Sequence, residues 1–90
     1  MNKPKRQKIR EAIKFLELAK EIVEFVAEDE EECLNNFPEN LQSSERYYAI
    51  EESQSVLSDA ADDIESILDD VRGVLWWVVI VRFLLGKSKK

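Results

Sequence analysis

The side chains of this chain that could carry out chemistry are mainly carboxylates, since its 90 residues include 19 Asp and Glu but no histidine. General acid–base or nucleophilic catalysis needs a titratable group held beside a base in a pocket. Cys33, the one cysteine, has no base near it in the sequence and continues an apolar row, so we expect it to be a small buried apolar residue. The sequence also lacks a set of zinc ligands and a glycine-rich phosphate loop. We therefore expect no catalytic residue, no metal site, no cofactor and no enzymatic activity.

The acidic residues form two groups along the chain. Glu28–Glu32 is a run of acids without the spaced ligands and the glycine of a calcium-binding loop, and we interpret it as a solvated helix end. Further on, pairs of aspartates recur after seven residues and therefore stack on one side of a helix. We expect a solvated acidic ridge there or, alternatively, a surface that mimics a nucleic-acid backbone and inhibits a host DNA- or RNA-binding defence protein. The ridge comprises Asp59, Asp62, Asp63, Asp69 and Asp70.

Charge is segregated along the sequence. All the acids lie between Glu11 and Asp70, and with 19 acids and 3 bases that segment has a net charge of −16, against −6 for the whole chain. The remaining bases are divided equally between the two ends of the chain. A basic N-terminal segment can bind phosphate backbones nonspecifically, but the acidic body opposes the approach of DNA. Direct nucleic-acid binding is therefore not expected.

Apolar periodicity predicts a first helix at about Lys5–Leu34, after a frayed basic arm at Met1–Gln7. One row of residues has the alternating steps of a coiled-coil seam: Ile9, Ala12, Leu16, Ala19, Val23, Val26 and Cys33. A second row beside it carries larger side chains: Phe15, Leu18, Ile22 and Phe25. One partner helix would cover only the first row, and each large side chain left in water forfeits about 1.5–3 kcal/mol. We therefore expect the second row to mediate self-association, unless both rows form one wide stripe on a globular helix.

Helical periodicity stops at Asn35–Ser44. Pro38 cannot continue a helix, because it lacks a backbone N–H and clashes with the preceding turn. Ser43 or Ser44 can cap the next helix by accepting a hydrogen bond from its first turn. Phe37 and Leu41 are expected to close the end of the hairpin core or, alternatively, to contact a partner.

A second, longer helix is predicted from Ser44 to Arg72. Its apolar row continues without a break into the C-terminal segment: Ile50, Ser53, Leu57, Ala60, Ile64, Ile67, Val71, Val74, Val78, Val81 and Leu85. Between Gly73 and Gly86 the chain becomes apolar on all sides, before a basic tail at 87–90. The β-branched residues of this apolar segment also permit a strand, but the continuous row favours a helix.

Hairpin geometry gives the C-terminal segment a role. A loop centred at 39–40 places Lys5 opposite Gly73, so the apolar segment would extend roughly 18 Å beyond the first helix at about 1.5 Å per residue. A soluble monomer seldom exposes such a patch, so a second copy, a membrane surface or another protein must cover it. We expect an oligomer interface that combines the second row of the first helix with four C-terminal residues: Trp76, Trp77, Ile80 and Phe83.

A membrane is one of the surfaces that could cover the patch. A spanning helix needs about 20 apolar residues, whereas the uninterrupted run Val74–Val81 ends before Arg82. Adjacent tryptophans with flanking bases suit an interfacial anchor on anionic lipid instead. The single cysteine, together with a basic start that no apolar leader follows, favours the cytoplasm. We expect a cytoplasmic protein, with peripheral membrane association as an alternative.

The residues of the loop carry a family resemblance. They fit the pattern N-x-P-E-x-L-Q-x-S-E-R over Asn36–Arg46, within an acidic stretch at 28–71 that covers about half of the chain. This stretch resembles small, functionally uncharacterised helical-hairpin proteins of bacteriophages and mobile elements of Gram-positive gut bacteria. The resemblance implies a phage or mobile-element origin in a bacterial host. By analogy with other small phage proteins, it also implies binding to a host protein.

The sequence thus predicts a single all-α domain over residues 1–90. Its architecture is a long, coiled-coil-like antiparallel helical hairpin, with the second helix longer than the first, assembled as a homo-oligomeric bundle. We expect a non-enzymatic interaction or scaffold protein that self-associates. The alternatives are the acidic inhibitor of a host protein and the peripheral membrane protein.

Overall fold

The computed structural model describes residues 2–88, with side chains for 2–86, as two helices joined by a short connection. Helix α1 spans Lys3–Asn35 and helix α2 spans Glu45–Ser88, with a 3₁₀ turn at Glu39–Leu41 between them. The two helices pack side by side in a rod of 74 × 20 × 15 Å. The prediction of an all-α hairpin is confirmed, and α2, with 44 residues against 33, is the longer helix as predicted.

The first helix begins earlier than its apolar pattern indicates. The Asn2 side chain accepts a hydrogen bond from the backbone N–H of Lys5 at 3.0 Å, and Pro4 occupies the first turn, where its missing N–H costs nothing. The chain is helical from Lys3. The predicted frayed arm at Met1–Gln7 is therefore wrong for the residues that the structure describes, because a side-chain cap and a proline fix the first turn.

The connection between the helices is closed by capping and by ring packing. Ser44, rather than Ser43, caps α2, and its hydroxyl oxygen accepts a hydrogen bond from the backbone N–H of Tyr47 at 3.2 Å. The half-buried rings of Phe37 and Tyr47 meet edge to face, with centroids 5.4 Å apart. Phe37 closes the hairpin as predicted, whereas Leu41 is 45% exposed and does not, because it lies in the 3₁₀ turn outside the helix pair.

The pairing register of the two helices differs from the prediction. A loop centred at 39–40 would place Lys20 opposite residue 58, but its ammonium group contacts Glu65 of α2 at 3.2 Å. The reason is that Phe37 pairs with Tyr47, so the chain reverses direction later than Pro38 indicates. Arg6 therefore lines a groove with Val78 and Val81, alongside the apolar segment of α2. The predicted 18 Å overhang is wrong, since α1 accompanies most of that segment.

The apolar segment is helical throughout. Helix α2 continues from Glu45 to Ser88 through Gly73 and Gly86, and both glycines have helical backbone with negative φ. The strand that the β-branched residues of this segment permitted is not formed. The predicted helix in this region is confirmed.

The buried core of the described chain is small and lies one residue away from the predicted rows. Only Ala27, Ala61 and Leu68 are buried among the hydrophobic residues, and Leu68 alone has no exposed side-chain surface. Ala27 comes four residues after the seam residue Val23, and Leu68 comes four residues after the seam residue Ile64. Residues four apart lie on the same face of a helix.

The intermediate members of the predicted rows account for the errors. Alternate members of each row, up to Val23 and Val71, are half-buried as predicted, but the inward position that follows each of them comes four residues later instead of three. Val26, Ile67 and Val74 are consequently exposed by 40–48% instead of being buried. Cys33 is also exposed, and its predicted burial is wrong for the same reason, with Leu34 half-buried in its place.

Candidate interaction surfaces

One side of the hairpin carries the ion pairs that link the two helices. Arg72 of α2 contacts Glu17 of α1 at 3.2 Å, and it also contacts Glu65 and Asp69 of its own helix at 3.6 Å. Lys20 of α1 bridges Glu24 and Glu65, with both contacts at 3.2 Å. Hydrogen bonding to Glu24 and then to Glu65 raises the pKa of Lys20 above its usual value of 10.5. We call this side the ion-paired face.

The positions of the ion-paired residues also identify which residues lie on the opposite side of the hairpin. Glu17 and Glu24 each come one residue after a half-buried seam residue of α1, and Glu65 and Arg72 stand in the same relation to α2. Because successive helical residues point about 100° apart, the residue just before each seam residue faces the other way. The ion pairs place the following residues of both helices on one side. The preceding residues of both helices therefore share the other side.

That other side is largely apolar, although Asp63 and Asp70 directly precede seam residues of α2 and so lie at its edge, and we call it the apolar face. Phe15 and Ile22 of α1 are 72% and 55% exposed, and Val56 and Trp77 of α2 are 59% and 65% exposed. Smaller, half-buried residues lie between these large exposed side chains and the seam, so the middle of the face is a shallow groove. The apolar face comprises Ala12, Phe15, Ala19, Ile22 and Val26 of α1, with Val56, Ala60, Ile67, Val74, Trp77 and Val81 of α2.

The eight residues predicted to form the oligomer interface lie in different regions of the structure. Phe15 and Ile22 border the apolar face, while Leu18 and Phe25, also exposed, lie on the side of α1 that points away from α2. Trp76 lines a groove with Arg10 and Arg72, next to the ion-paired face. The remaining C-terminal residues differ in exposure: Trp77 and Phe83 are exposed, whereas Ile80 is half-buried. The eight residues therefore do not form one continuous surface within a single chain.

The two tryptophans lie beside arginines on opposite sides of the rod. Trp76 shares its groove with Arg10 and Arg72, and Trp77 shares another with Arg6 and Arg82. Every charged residue in the segments 2–10 and 71–86 is basic. We call this region, residues 2–10 with 71–86 of α2, the basic apolar end.

The acidic ridge is solvent-exposed. Asp59, Asp62, Asp63, Asp69 and Asp70 are all exposed on α2, as mimicry of a nucleic-acid backbone would require. Asp69 contributes to the ion-paired face through its contact with Arg72. The role of this ridge as an inhibitor of a host protein stays a prediction.

No metal centre is formed by the residues that the structure describes. Within residues 2–88, no three His, Cys, Asp or Glu side chains are grouped so that they could hold a metal ion. Over the same residues, neither helix has an apolar stretch long enough to cross a membrane. Cys33 is an exposed free thiol near the end of α1.

Comparisons with protein-family models, with curated proteins and with solved structures find no match to this chain. The resemblance to phage-encoded hairpins therefore stays a prediction. The α2 half of the apolar face was missed by sequence reasoning, which assigned Ile67 and Val74 to the core. A partial signal for it exists, because Val56 and Trp77 directly precede seam residues and are apolar, although Asp63 and Asp70 hold the two equivalent positions between them.

Proposed function

We propose that the chain is a non-enzymatic helical interaction protein that self-associates through its apolar face. In this arrangement two hairpins form a four-helix bundle, with the ion-paired face of each hairpin turned outward. A two-fold dimer brings the same face of both copies together, so a single self-complementary surface is sufficient.

The observation that carries this proposal is the amount of surface that one chain leaves exposed. A compact monomer of 10.5 kDa has an accessible surface of about 5,400 Å² by the usual scaling with mass. This chain exposes 7240 Å², an excess of roughly 1,800 Å². A standard interface buries about 800 Å² per partner, and obligate homodimers bury more than that. The excess is thus in the range that an obligate dimer buries.

The small core supports the same conclusion. The three apolar residues that are buried within residues 2–86 provide little hydrophobic stabilisation against the conformational entropy lost on folding. Pairing the apolar faces would bury Phe15, Ile22 and Ile67 without disturbing the ion pairs on the other side. The half-buried alanines of the face leave room for the larger side chains of a second copy.

The test is the mass in solution of the full chain and of two matched double variants. Ile22→Ser with Ile67→Ser removes apolar area from the apolar face of both helices. Leu18→Ser with Val79→Ser removes similar exposed area, 54% and 52% exposed, from outside that face. We expect the wild type and the second variant to elute as dimers with the mass of two chains measured by light scattering, and the first variant to become a monomer.

Two results would contradict the proposal. A wild-type chain with the mass of a monomer at micromolar concentration would remove self-association altogether. Equal loss of the dimer in both double variants would show that the apolar face is not the interface.

A further inference from the structure

The basic apolar end has more exposed apolar surface than a dimer of apolar faces can cover. Trp77 borders the apolar face, but Trp76 is 66% exposed and lies beside Arg10 and Arg72 on the other side of the rod. Val79 directly follows the seam residue Val78, so it also lies on the side of the ion pairs, with 52% of its surface exposed. A second copy on the apolar face would leave Trp76 and Val79 in water.

The bases that α1 contributes to this end are not explained by the helix dipole. The positive end of the helix dipole lies at the start of α1, yet this first turn has no acidic residue and includes Lys3 and Lys5. The opposite end of α1 has no basic residue in its last turn and follows a run of acids. Both ends of α1 thus have charges that the dipole disfavours. The accumulation of bases around the tryptophans calls for an anionic partner.

We propose that the basic apolar end binds the surface of a bilayer containing anionic lipid. The indole rings of Trp76 and Trp77 would lie at the level of the headgroups, where an amphipathic ring is most favourable. The arginines of the two grooves other than the ion-paired Arg72, together with Lys5 and Lys8 near the start of α1, would contact the anionic headgroups on both sides. The acidic body of the rod, repelled by the same surface, would project away from the bilayer.

The charge distribution favours a bilayer over the other anionic surfaces. Nucleic acid would satisfy the bases but would leave Val79 and the exposed C-terminal leucines uncovered, whereas a lipid surface satisfies both. The proposal does not depend on self-association, because a monomer and a dimer would both present this end.

The experiment uses the intrinsic fluorescence of the full chain, whose only two tryptophans lie in the basic apolar end. Vesicles of phosphatidylcholine mixed with phosphatidylglycerol should shift the emission to the blue, and brominated lipids should quench it. Vesicles of phosphatidylcholine alone should cause neither change. Duplex DNA should not shift the emission, and high salt should weaken the binding to anionic vesicles.

Variants assign the binding to this end. Lys5→Gln with Lys8→Gln should weaken vesicle binding roughly 25-fold, at about five-fold for each base removed near an anionic surface. Trp76→Ser should reduce flotation with anionic vesicles, while Phe25→Ser, a control at a 71% exposed aromatic residue further along α1 and outside the apolar face, should float like the wild type. Mass in solution, measured in parallel, separates this result from a change in self-association.

Three outcomes would overturn the proposal. They are equal binding to neutral and anionic vesicles, the absence of a blue shift with anionic vesicles, and duplex DNA binding as tightly as those vesicles. Unchanged binding of the Lys5 and Lys8 variant with retained helical circular dichroism would also count against it.

Discussion

The ion-paired face and the apolar face of the hairpin are separated by one seam residue on each helix, yet their chemistry is opposite. On α1, Glu24 follows Val23 and joins the ion pairs, whereas Ile22 precedes Val23 and is exposed on the apolar face. On α2, Glu65 follows Ile64 in the same way. The ion-paired face provides polar contacts between the two helices. The other face has apolar side chains that stay exposed among the described residues, and such a surface is typical of an interface.

The largest loss of stability is expected from a mutation in the seam that separates the two faces. Leu68 is the one fully buried side chain among those that the structure describes, so Leu68→Ala should lower the free energy of unfolding by about 2–5 kcal/mol. The midpoint of urea denaturation at fixed protein concentration measures this loss. A fixed concentration is needed because the stability of a self-associating chain depends on it.

The neighbouring Ile67 provides the matched control for Leu68. It is 48% exposed on the apolar face, so Ile67→Ser should chiefly weaken the dimer, by about 2 kcal/mol over two copies, or roughly thirty-fold. The concentration dependence of the mass in solution reports this effect. If Ile67→Ser reduced stability as much as Leu68→Ala even at high protein concentration, the distinction between seam and face would be wrong.

The contrast between Leu68 and Ile67 also shows how far the sequence could predict the fold. The loop at Pro38, the cap at Ser44 and the helical apolar segment follow from local chemistry, and the structure confirms them. The inward position at Leu68 does not, because Ile67 and Leu68 come three and four residues after Ile64 and both fit an apolar row, so only packing against the other helix decides which one is buried.

The register is the second feature that local chemistry does not determine. The contact between Lys20 and Glu65 depends on where the chain reverses, which is set by the packing of the Phe37 ring against Tyr47. No sequence pattern distinguishes this pairing from the one centred on Pro38. Without the correct register, the side shared by Glu17 and Arg72 could not be recognised, and neither could the apolar face opposite to it.

A smaller effect is expected at Gly73, where the acidic part of α2 meets its apolar part. A Cβ atom added there would meet nothing within 4 Å, and the backbone is helical. Gly73→Ala should therefore raise the free energy of unfolding by roughly 0.5–1 kcal/mol, because alanine loses less conformational entropy in a helix. Thermal or urea denaturation measures the gain. A loss of stability accompanied by a lower mass in solution would instead show that a second copy packs closely at Gly73.

The smallest change in stability is expected from a mutation in the ion-paired face, and this change depends on pH. The pKa of Lys20 is raised in the folded chain by Glu24 and Glu65, so its contribution to stability is fully present below its usual pKa of 10.5. The contribution is lost as the pH rises through the higher pKa of the folded state. Lys20→Met should accordingly be less stable than the wild type at neutral pH, and the difference should shrink above pH 10.5.

Measuring both proteins across the pH range isolates Lys20, because the ionisation of the tyrosines is common to both. Lys14→Met, at an exposed lysine of the same helix, provides the control for lost side-chain charge. A difference between the wild type and Lys20→Met that stays constant across this range would mean that the stem of Lys20, rather than its charge, supports the hairpin. The mass in solution should be the same for both variants, since neither change lies on the apolar face.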